Sequence, residues 1–358
     1  MTHLSSSIRW RALAVVALTS IGCAAGDRAS AQGQGGGNQG VDLRATLEAL
    51  ADDSLMGRRT GTEGADRAAL FIAAELQRHG VQPAFSATPG GDSAYFQRVP
   101  LVRGDRMQLL EGWAEYDSVP AEQRVHAANV IGIVPGSDPR LRDEAIVVGA
   151  HYDHVGIGRP VDGDSIYNGA DDDASGVVAV LAAARALAAG PPPARTVVFL
   201  LTTGEEQGLL GTRWYIRSPV VSLDRTVADL QVEMIGRPDS AAGGPGRAWL
   251  TGYERSSLGA ELARNGLAVI PDPRPDQQFF LRSDNVAFAC QGIPAHTLSS
   301  FGLHADYHGP DDEVERIDFA HFAEVVEATI AAVRLLASGD APAWNEGGDP
   351  SRNPTVCG

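Results

Sequence analysis

The chain has 358 residues, of which 44% are hydrophobic and 21% are charged, so it is long enough to bury a large core. Its formal net charge of −16 at pH 7 argues against a nucleic-acid partner and against an anionic membrane surface. Such an acidic balance is compatible with cationic ligands, which include metal ions and substrate amines.

The first 31 residues have the features of an export signal. Arg9 and Arg11 precede the apolar stretch "ALAVVALTSIGCAAG", which is too short to span a membrane permanently. The small residues that end at Ala31 predict cleavage there, and Cys23 offers an alternative, lipidated N-terminus. We therefore expect an exported protein that is periplasmic or secreted, or a lipoprotein anchored to the membrane.

The pattern that follows predicts one α/β domain. After a flexible linker at residues 32–41, helices are predicted near 43–50 and at 62–80, 174–189 and 317–337. Residues 82–124 are predicted to be irregular. Short apolar runs typical of buried strands occur at 128–136, 145–150, 196–203, 230–236 and 292–298. This alternation predicts a single domain over residues 42–337, with a central mixed, largely parallel sheet covered by helices on both faces, and a C-terminal tail at 338–358.

Polar side chains follow four of the predicted strands. In chain order they are His151 and Asp153, Glu205 and Glu206, Glu233, and His308. Ligands of open α/β sheets bind outside the carboxyl ends of the strands, so these groups are expected to meet at one edge. Histidine and carboxylate side chains together are a donor set that suits zinc.

The stretch "GADDDASG", residues 169–176, places three adjacent aspartates directly before a predicted helix. Their mutual repulsion becomes tolerable when a divalent cation supplies compensating charge. In a two-zinc site, four positive charges would be balanced by Asp171, Glu206, Glu233 and one hydroxide. We therefore expect Asp171 to bridge two metal ions, while Asp172 and Asp173 shape the turn and cap the helix.

Six motifs carry a resemblance to a known family: "GAHYDH", "NGADDDASG", "TTGEEQGLLGT", "VEMIG", "SDNVAF" and "DYHGPDD". In this order they resemble metallopeptidase family twenty-eight, the cocatalytic dizinc aminopeptidases, which are related to glutamate carboxypeptidase II and to glutaminyl cyclases. The resemblance covers roughly residues 43–336. It implies two zinc ions per chain and peptide substrates with a free N-terminus.

The resemblance also implies a role for each metal ligand. His151 binds one zinc, Glu206 and His308 bind the other, and Asp171 bridges them. Glu233 takes the position of a further ligand that is usually aspartate in the family, so its longer side chain is a departure from the pattern.

The catalytic roles come from the same resemblance. Glu205 matches the general base that acts on a hydroxide held between the two zinc ions. Asp153 matches the acid that orients the ring of His151, and Tyr307 matches a tyrosine that stabilises the developing oxyanion. The Asp171–Asp172 peptide is expected to be cis.

Several neighbouring residues are open to more than one interpretation. His154, three residues after His151, is not expected to be a ligand, and His304 is expected to be a pocket or surface residue. Ser283 and Asp284 either support the site or cap a helix.

The two cysteines that follow the signal, Cys290 and Cys357, would pair only in an oxidising compartment, so their pairing is left open.

Three other functions compete with the aminopeptidase. A glutaminyl-cyclase-like acyl transferase would use one zinc, which the full ligand set disfavours. A non-catalytic interaction domain would lack metal ligands, yet no family position here is empty. A carboxypeptidase or dipeptidase would need an arginine for the substrate carboxylate, and Arg282 is the motif-adjacent one.

Overall fold

The computed structural model describes residues 41–86 and 94–357. The predicted signal peptide at 1–31, Cys23 and the predicted linker up to residue 40 lie outside the described residues. Within the described part of the chain, no helix combines the length and the apolar composition that crossing a bilayer requires.

The secondary structure alternates between strands and helices along the chain. The strands are Gln82–Pro83 (β1), Phe96–Arg98 (β2), Leu101–Arg103 (β3), Met107–Leu109 (β4), Arg124–Val125 (β5), Ala128–Val134 (β6), Ala145–His151 (β7), Gly156–Val161 (β8), Asp164–Tyr167 (β9), Thr196–Thr202 (β10), Thr226–Glu233 (β11), Ala248–Leu250 (β12), Val269–Pro271 (β13) and Ala295–Ser299 (β14). The α-helices are Leu43–Leu50 (α1), Glu63–Arg78 (α2), Trp113–Ser118 (α3), Gly176–Ala188 (α4), Leu210–Arg217 (α5), Leu258–Arg264 (α6), Asn285–Ala289 (α7), Phe319–Ser338 (α8) and Pro354–Cys357 (α9).

Among the described residues, nine strands form one sheet in the order β1-β6-β10-β7-β11-β14-β12-β13, with β2 also paired to β6. Its centre is parallel, because β7 runs parallel to both β10 and β11, and β11 runs parallel to β14. The outer pairs β6–β10 and β12–β14 are antiparallel. The predicted mixed, largely parallel sheet is confirmed.

Alternate residues of the central strand β7 face opposite layers of helices. Ile146 and Val148 pack into the large core with residues of α1, α2, α4 and α8. Val147, between them, packs on the other side with Tyr215 of α5 and Phe288 of α7. Every residue of β7 is buried, which explains its unbroken apolar sequence. The sheet is therefore covered by helices on both faces, as predicted.

The segment predicted to be irregular, residues 82–124, is more ordered than expected. It contains α3 and a small antiparallel sheet in the order β4-β3-β5. Leu101 and Val125 of this sheet pack against Trp214 of α5. Its strands have two or three residues each, too short for a period-two pattern to be read from the sequence.

The C-terminal tail is tied to the body by a disulfide between Cys290, directly after α7, and Cys357 in α9. This resolves the pairing that the sequence left open.

Candidate metal and catalytic site

The three adjacent aspartates lie in a buried turn, Ala170–Ser175, between β9 and α4. The side chain of Asp171 does not contact His151 or His308, the two histidines that were predicted as ligands. Its Oδ1 accepts the backbone N–H of Gly236 at 2.7 Å, and its Oδ2 lies 3.1 Å from Nε2 of His304. Asp171 therefore anchors the polypeptide around the site.

Asp172 takes the position that was predicted for Asp171. Its Oδ1 lies 3.2 Å from Nε2 of His151, and its Oδ2 lies 3.1 Å from Nε2 of His308. One carboxylate thus presents each oxygen to a different imidazole. The structure therefore places Asp172, and not Asp171, between the two histidines predicted as ligands. The cis peptide is likewise one residue later, at Asp172–Asp173.

Asp173 caps the following helix, as predicted, whereas Asp172 does not. Oδ1 of Asp173 accepts the backbone N–H groups of Gly176 at 3.0 Å and Met234 at 3.1 Å. Asp312 accepts the backbone N–H groups of Asp171 and Asp172, both at 3.0 Å. The three aspartates therefore diverge, and only Asp172 faces the imidazoles of His151 and His308.

Asp172 belongs to a compact group of four side chains. The other three are Glu206, His308 and His154, and one potential ligand atom from each of the four lies within 4.8 Å of all the others. Nε2 of His308 lies 3.2 Å from Oε2 of Glu206, and Nδ1 of His154 lies 2.9 Å from Oε1 of Glu206. The structure thus brings His154, which was expected to be a non-ligand, into the group.

Asp153 contacts its neighbours in a different way from the one predicted. Nδ1 of His151 donates to the backbone carbonyl of Asp153 at 3.0 Å, while the Asp153 carboxylate is 3.9 Å away. That carboxylate accepts the backbone N–H of Glu205 at 3.2 Å and the hydroxyl of Thr60 at 3.0 Å. Asp153 therefore orients His151 through its main chain and positions Glu205 through its side chain.

Glu233, at the end of β11, lines the same cleft as His151 and Asp172. Its carboxylate accepts a hydrogen bond from the Ser283 hydroxyl. Asp284 is buried and accepts from the Thr202 hydroxyl at 2.6 Å without capping α7. Of the two residues left open, Ser283 supports the site directly.

A buried arginine that sequence analysis did not single out joins two of these segments. Arg58, 1% exposed, donates to the carbonyl oxygens of Tyr152 at 2.8 Å and Gly169 at 3.0 Å, and also to those of Leu50 and Asn168. Tyr152 follows His151, and Gly169 begins the aspartate turn. In the sequence, Arg58 is marked only as an arginine beside a glycine in the stretch "MGRRT". That pattern by itself predicts a surface residue.

Two chemically different sets of residues line one cleft, whose volume is about 540 Å³ including its open mouth. The polar set is His151, Asp172, Glu205, Glu206, Glu233 and His308. The aromatic set is Trp249, Phe279, Phe301 and Tyr307, and Arg282 also lines the cleft. The rings of Trp249 and Phe279 are stacked with their centroids 5.1 Å apart.

The electrostatics of the polar residues in the cleft favour bound positive charge. Burial raises the pKa of Glu205 well above its usual range and raises that of Glu233 to about 7, although His151 opposes both shifts. Burial alone would also raise the pKa of Asp172, but its hydrogen bonds with His151 and His308 lower it well below the usual range. Asp172 is therefore an anion with cationic partners on both sides, a role that divalent cations also serve.

Comparisons with known proteins identify the family of the chain. The model of peptidase family M28 matches residues 129–333, more than half of the chain. No curated protein sequence matches.

Similar solved structures include BSAP, a zinc aminopeptidase from Bacillus subtilis, at 16% identity and a TM-score of 0.58, covering 83% of this chain and 95% of that one. An aminopeptidase from Aneurinibacillus sp. strain AM-1 is 18% identical with a TM-score of 0.57, covering 83% and 94% of the two chains. Glutaminyl cyclase from Porphyromonas gingivalis is 16% identical with a TM-score of 0.56, covering 81% and 96%. These likenesses show the shared fold, and the family match confirms the resemblance read from the motifs: the chain belongs to peptidase family M28.

Proposed function

We propose that the protein is an exported, zinc-dependent aminopeptidase that removes N-terminal residues from peptides. The observation that carries the proposal is the Asp172 carboxylate, whose two oxygens face His151 and His308 in a cleft that also holds Glu205 and Glu233. Membership of peptidase family M28 and the fold shared with zinc aminopeptidases support it.

Two zinc ions fit the donor set. His151 and Glu233 would hold one, Glu206 and His308 the other, and Asp172 would lie between them. Imidazole nitrogen and carboxylate oxygen are ligands that zinc prefers, and the three carboxylates offset three of the four positive charges. Zinc bound there would supply Lewis acidity and make a water acidic enough to lose its proton near neutral pH.

The protein's own groups then move the proton. Glu205 takes the proton of the attacking water and delivers it to the amine that leaves when the peptide bond breaks. Glu205 lines the cleft beside Glu206, so its carboxylate can reach a water bound there. Asp153 fixes the position of Glu205 through the backbone N–H.

Tyr307 interacts with the carbonyl oxygen of the peptide bond that is cleaved. It lines the cleft, and its ring stacks on that of His308 with the centroids 3.9 Å apart. Burial raises the pKa of its hydroxyl, so the group stays protonated and donates a hydrogen bond to the oxygen that becomes negative.

The polar and aromatic residues of the cleft suit the two ends of an N-terminal residue. The carboxylates attract a protonated α-amine, while Trp249, Phe279 and Phe301 offer an apolar surface for its side chain.

Glu205→Gln tests the proposal. The amide keeps the shape of the side chain but cannot accept the proton, so kcat should fall by about 10² to 10⁴ while bound zinc is unchanged. Aminoacyl-p-nitroanilides provide the assay and their N-acetylated forms the control. Equal turnover of free and blocked substrates would exclude the aminopeptidase, and turnover of N-terminal glutamine alone would favour the cyclase.

A second candidate function, a dipeptidase or carboxypeptidase, is favoured by Arg282. This residue lines the cleft with its guanidinium 5.0 Å from the centroid of the Phe279 ring. A guanidinium there would pair with a substrate carboxylate. If so, dipeptides should be cleaved faster than their amides, and Arg282→Gln should abolish the difference. No difference in the native enzyme would exclude this function.

Export is tested by cell fractionation of the full-length chain. Mass spectrometry of the processed N-terminus separates cleavage after Ala31 from lipidation at Cys23, and retention of full-length protein in the cytoplasm would contradict export.

A further inference from the structure

We infer that His154 is a further zinc ligand, which binds through Nδ1 to the ion that Glu206 and His308 would hold. The inference rests on the proposed zinc site and adds a ligand to it. It makes the two metal positions unequal: four protein ligands at one and three at the other.

The position of the ring carries the inference. Nδ1 of His154 lies 2.9 Å from Oε1 of Glu206 and 3.8 Å from Oδ2 of Asp172. Nε2 of His308 faces the same two carboxylates, at 3.2 Å from Glu206 and 3.1 Å from Asp172. Two imidazoles and two carboxylates therefore alternate around one point.

The spacing of these atoms matches a tetrahedral zinc site. Zinc–nitrogen and zinc–oxygen bonds of about 2.0–2.1 Å place neighbouring ligand atoms roughly 3.4 Å apart in a tetrahedron. The four imidazole–carboxylate separations run from 2.9 to 3.8 Å, with Oε1 of Glu206 nearer His154 and Oε2 of Glu206 nearer His308. One ligand atom from each of the four side chains lies within 4.8 Å of the other three, so a zinc ion would need only local adjustment, chiefly of the Glu206 carboxylate, to bind all four.

His154 is held in place by its surroundings. Its exposure is 0%, and its ring edge meets the His308 ring with the centroids 5.5 Å apart. The ring also lies over Gly169, where a Cβ would come within 2.6 Å of its Cδ2. Because Gly169 adopts a φ of +60° as well, both its conformation and the ring favour glycine.

A hydrogen bond alone could account for part of this geometry. His154 would then donate from Nδ1 to Glu206 and only position that ligand. The two roles differ in what can replace the imidazole. The amide of asparagine can donate from nearly the place of Nδ1, but it is a poor zinc ligand.

Four ligands should hold their ion more tightly than three. The ion bound by His154, Glu206, His308 and Asp172 would be closed by protein, whereas His151, Glu233 and Asp172 would leave an open position at the other. We therefore expect the native protein to release its two zinc ions in two steps under chelator competition.

The experiment measures both zinc dissociation constants by competition with a chromophoric chelator. The chains are the native protein, His154→Asn, His154→Ala and the remote surface control His126→Asn. Both His154 variants should weaken the tighter ion at least tenfold and leave the weaker ion unchanged. The control should match the native protein. An anomalous-scattering crystal structure of the zinc-loaded native protein, which depends on no variant, should show Nδ1 of His154 bonded to one ion.

The other outcomes are distinct. Native affinity in His154→Asn with a loss only in His154→Ala would assign His154 a hydrogen-bonding role and overturn the inference. Unchanged affinities in both variants, or an anomalous map with no bond to His154, would also overturn it. Failure of the native protein itself to bind zinc would refute the proposed function instead.

Discussion

Replacing Arg58 with methionine should destabilise the protein severely, because it removes the donor shared by four backbone carbonyls. The guanidinium is buried and donates to the carbonyls of Leu50, Tyr152, Asn168 and Gly169. Leaving each buried acceptor unpaired costs about 1–3 kcal/mol, so the lower limit gives a loss of about 4 kcal/mol. That is a large part of the 5–15 kcal/mol typical of a folded domain.

Urea unfolding of the metal-free protein measures this loss as a change in the free energy of unfolding. The matched control is Arg140→Met, whose side chain is 86% exposed, so its effect should stay within about 0.5 kcal/mol. Arg58→Lys keeps the charge but concentrates its donors on one atom, so it should recover only part of the loss. A loss below about 1 kcal/mol in Arg58→Met would refute this account of how the two ligand segments are held.

Three further predictions follow from the same structure. Asp172→Asn should lower the zinc content and reduce kcat/KM by at least about 100-fold, whereas Asp171→Asn should keep its zinc. Elemental analysis and steady-state kinetics measure both effects. The reverse result would restore Asp171 as the bridging residue. Burial raises the pKa of Glu313 from 4.5 to about 7, so between these pH values the folded chain holds a proton that the unfolded chain releases. The contribution of Glu313 to the free energy of unfolding therefore falls as the pH rises from about 4.5 to 7. Glu313→Gln should therefore raise the Tm more at pH 8 than at pH 4, unlike the exposed control Glu315→Gln, and equal shifts at both pH values would contradict the assignment. Cys357→Ser opens a cross-link that spans 67 residues, so it should cost up to about 4 kcal/mol in urea unfolding, and an unchanged midpoint would show that the tail is tied by other contacts.

The central fold was predictable because its strands are apolar on both faces. The runs at 145–150 and 196–203 became β7 and β10, each displaced by no more than one residue at its end. Unbroken apolar sequence between turn residues is typical of strands buried on both sides, and the order of the motifs then indicated the family.

The sequence pattern could not predict which aspartate of the turn faces His151 and His308. Asp171, Asp172 and Asp173 have the same chemistry, and consecutive side chains of a tight turn point in different directions. Which one faces His151 depends on tertiary contacts, chiefly the backbone N–H groups that Asp312 accepts. The spacing of residues along the chain does not reveal those tertiary contacts.

The position of His154 beside Glu206 was not predictable for a similar reason. In a continuous strand, residues three apart point to opposite faces, so the sequence offered no reason to place His151 and His154 together. The strand ends at His151, however, and the chain then turns into the β8–β9 hairpin, which frees His154 from that alternation. The signal was the second histidine of "GAHYDH", whose direction only the structure reveals.

The most direct test of the central claim is zinc content measured together with hydrolysis. We expect about two zinc ions per chain, and release of p-nitroaniline from leucyl-p-nitroanilide that disappears on chelation and returns with zinc. The N-acetylated substrate should not be cleaved. A zinc-reconstituted protein that binds no metal, or that cleaves both substrates equally, would contradict the zinc aminopeptidase.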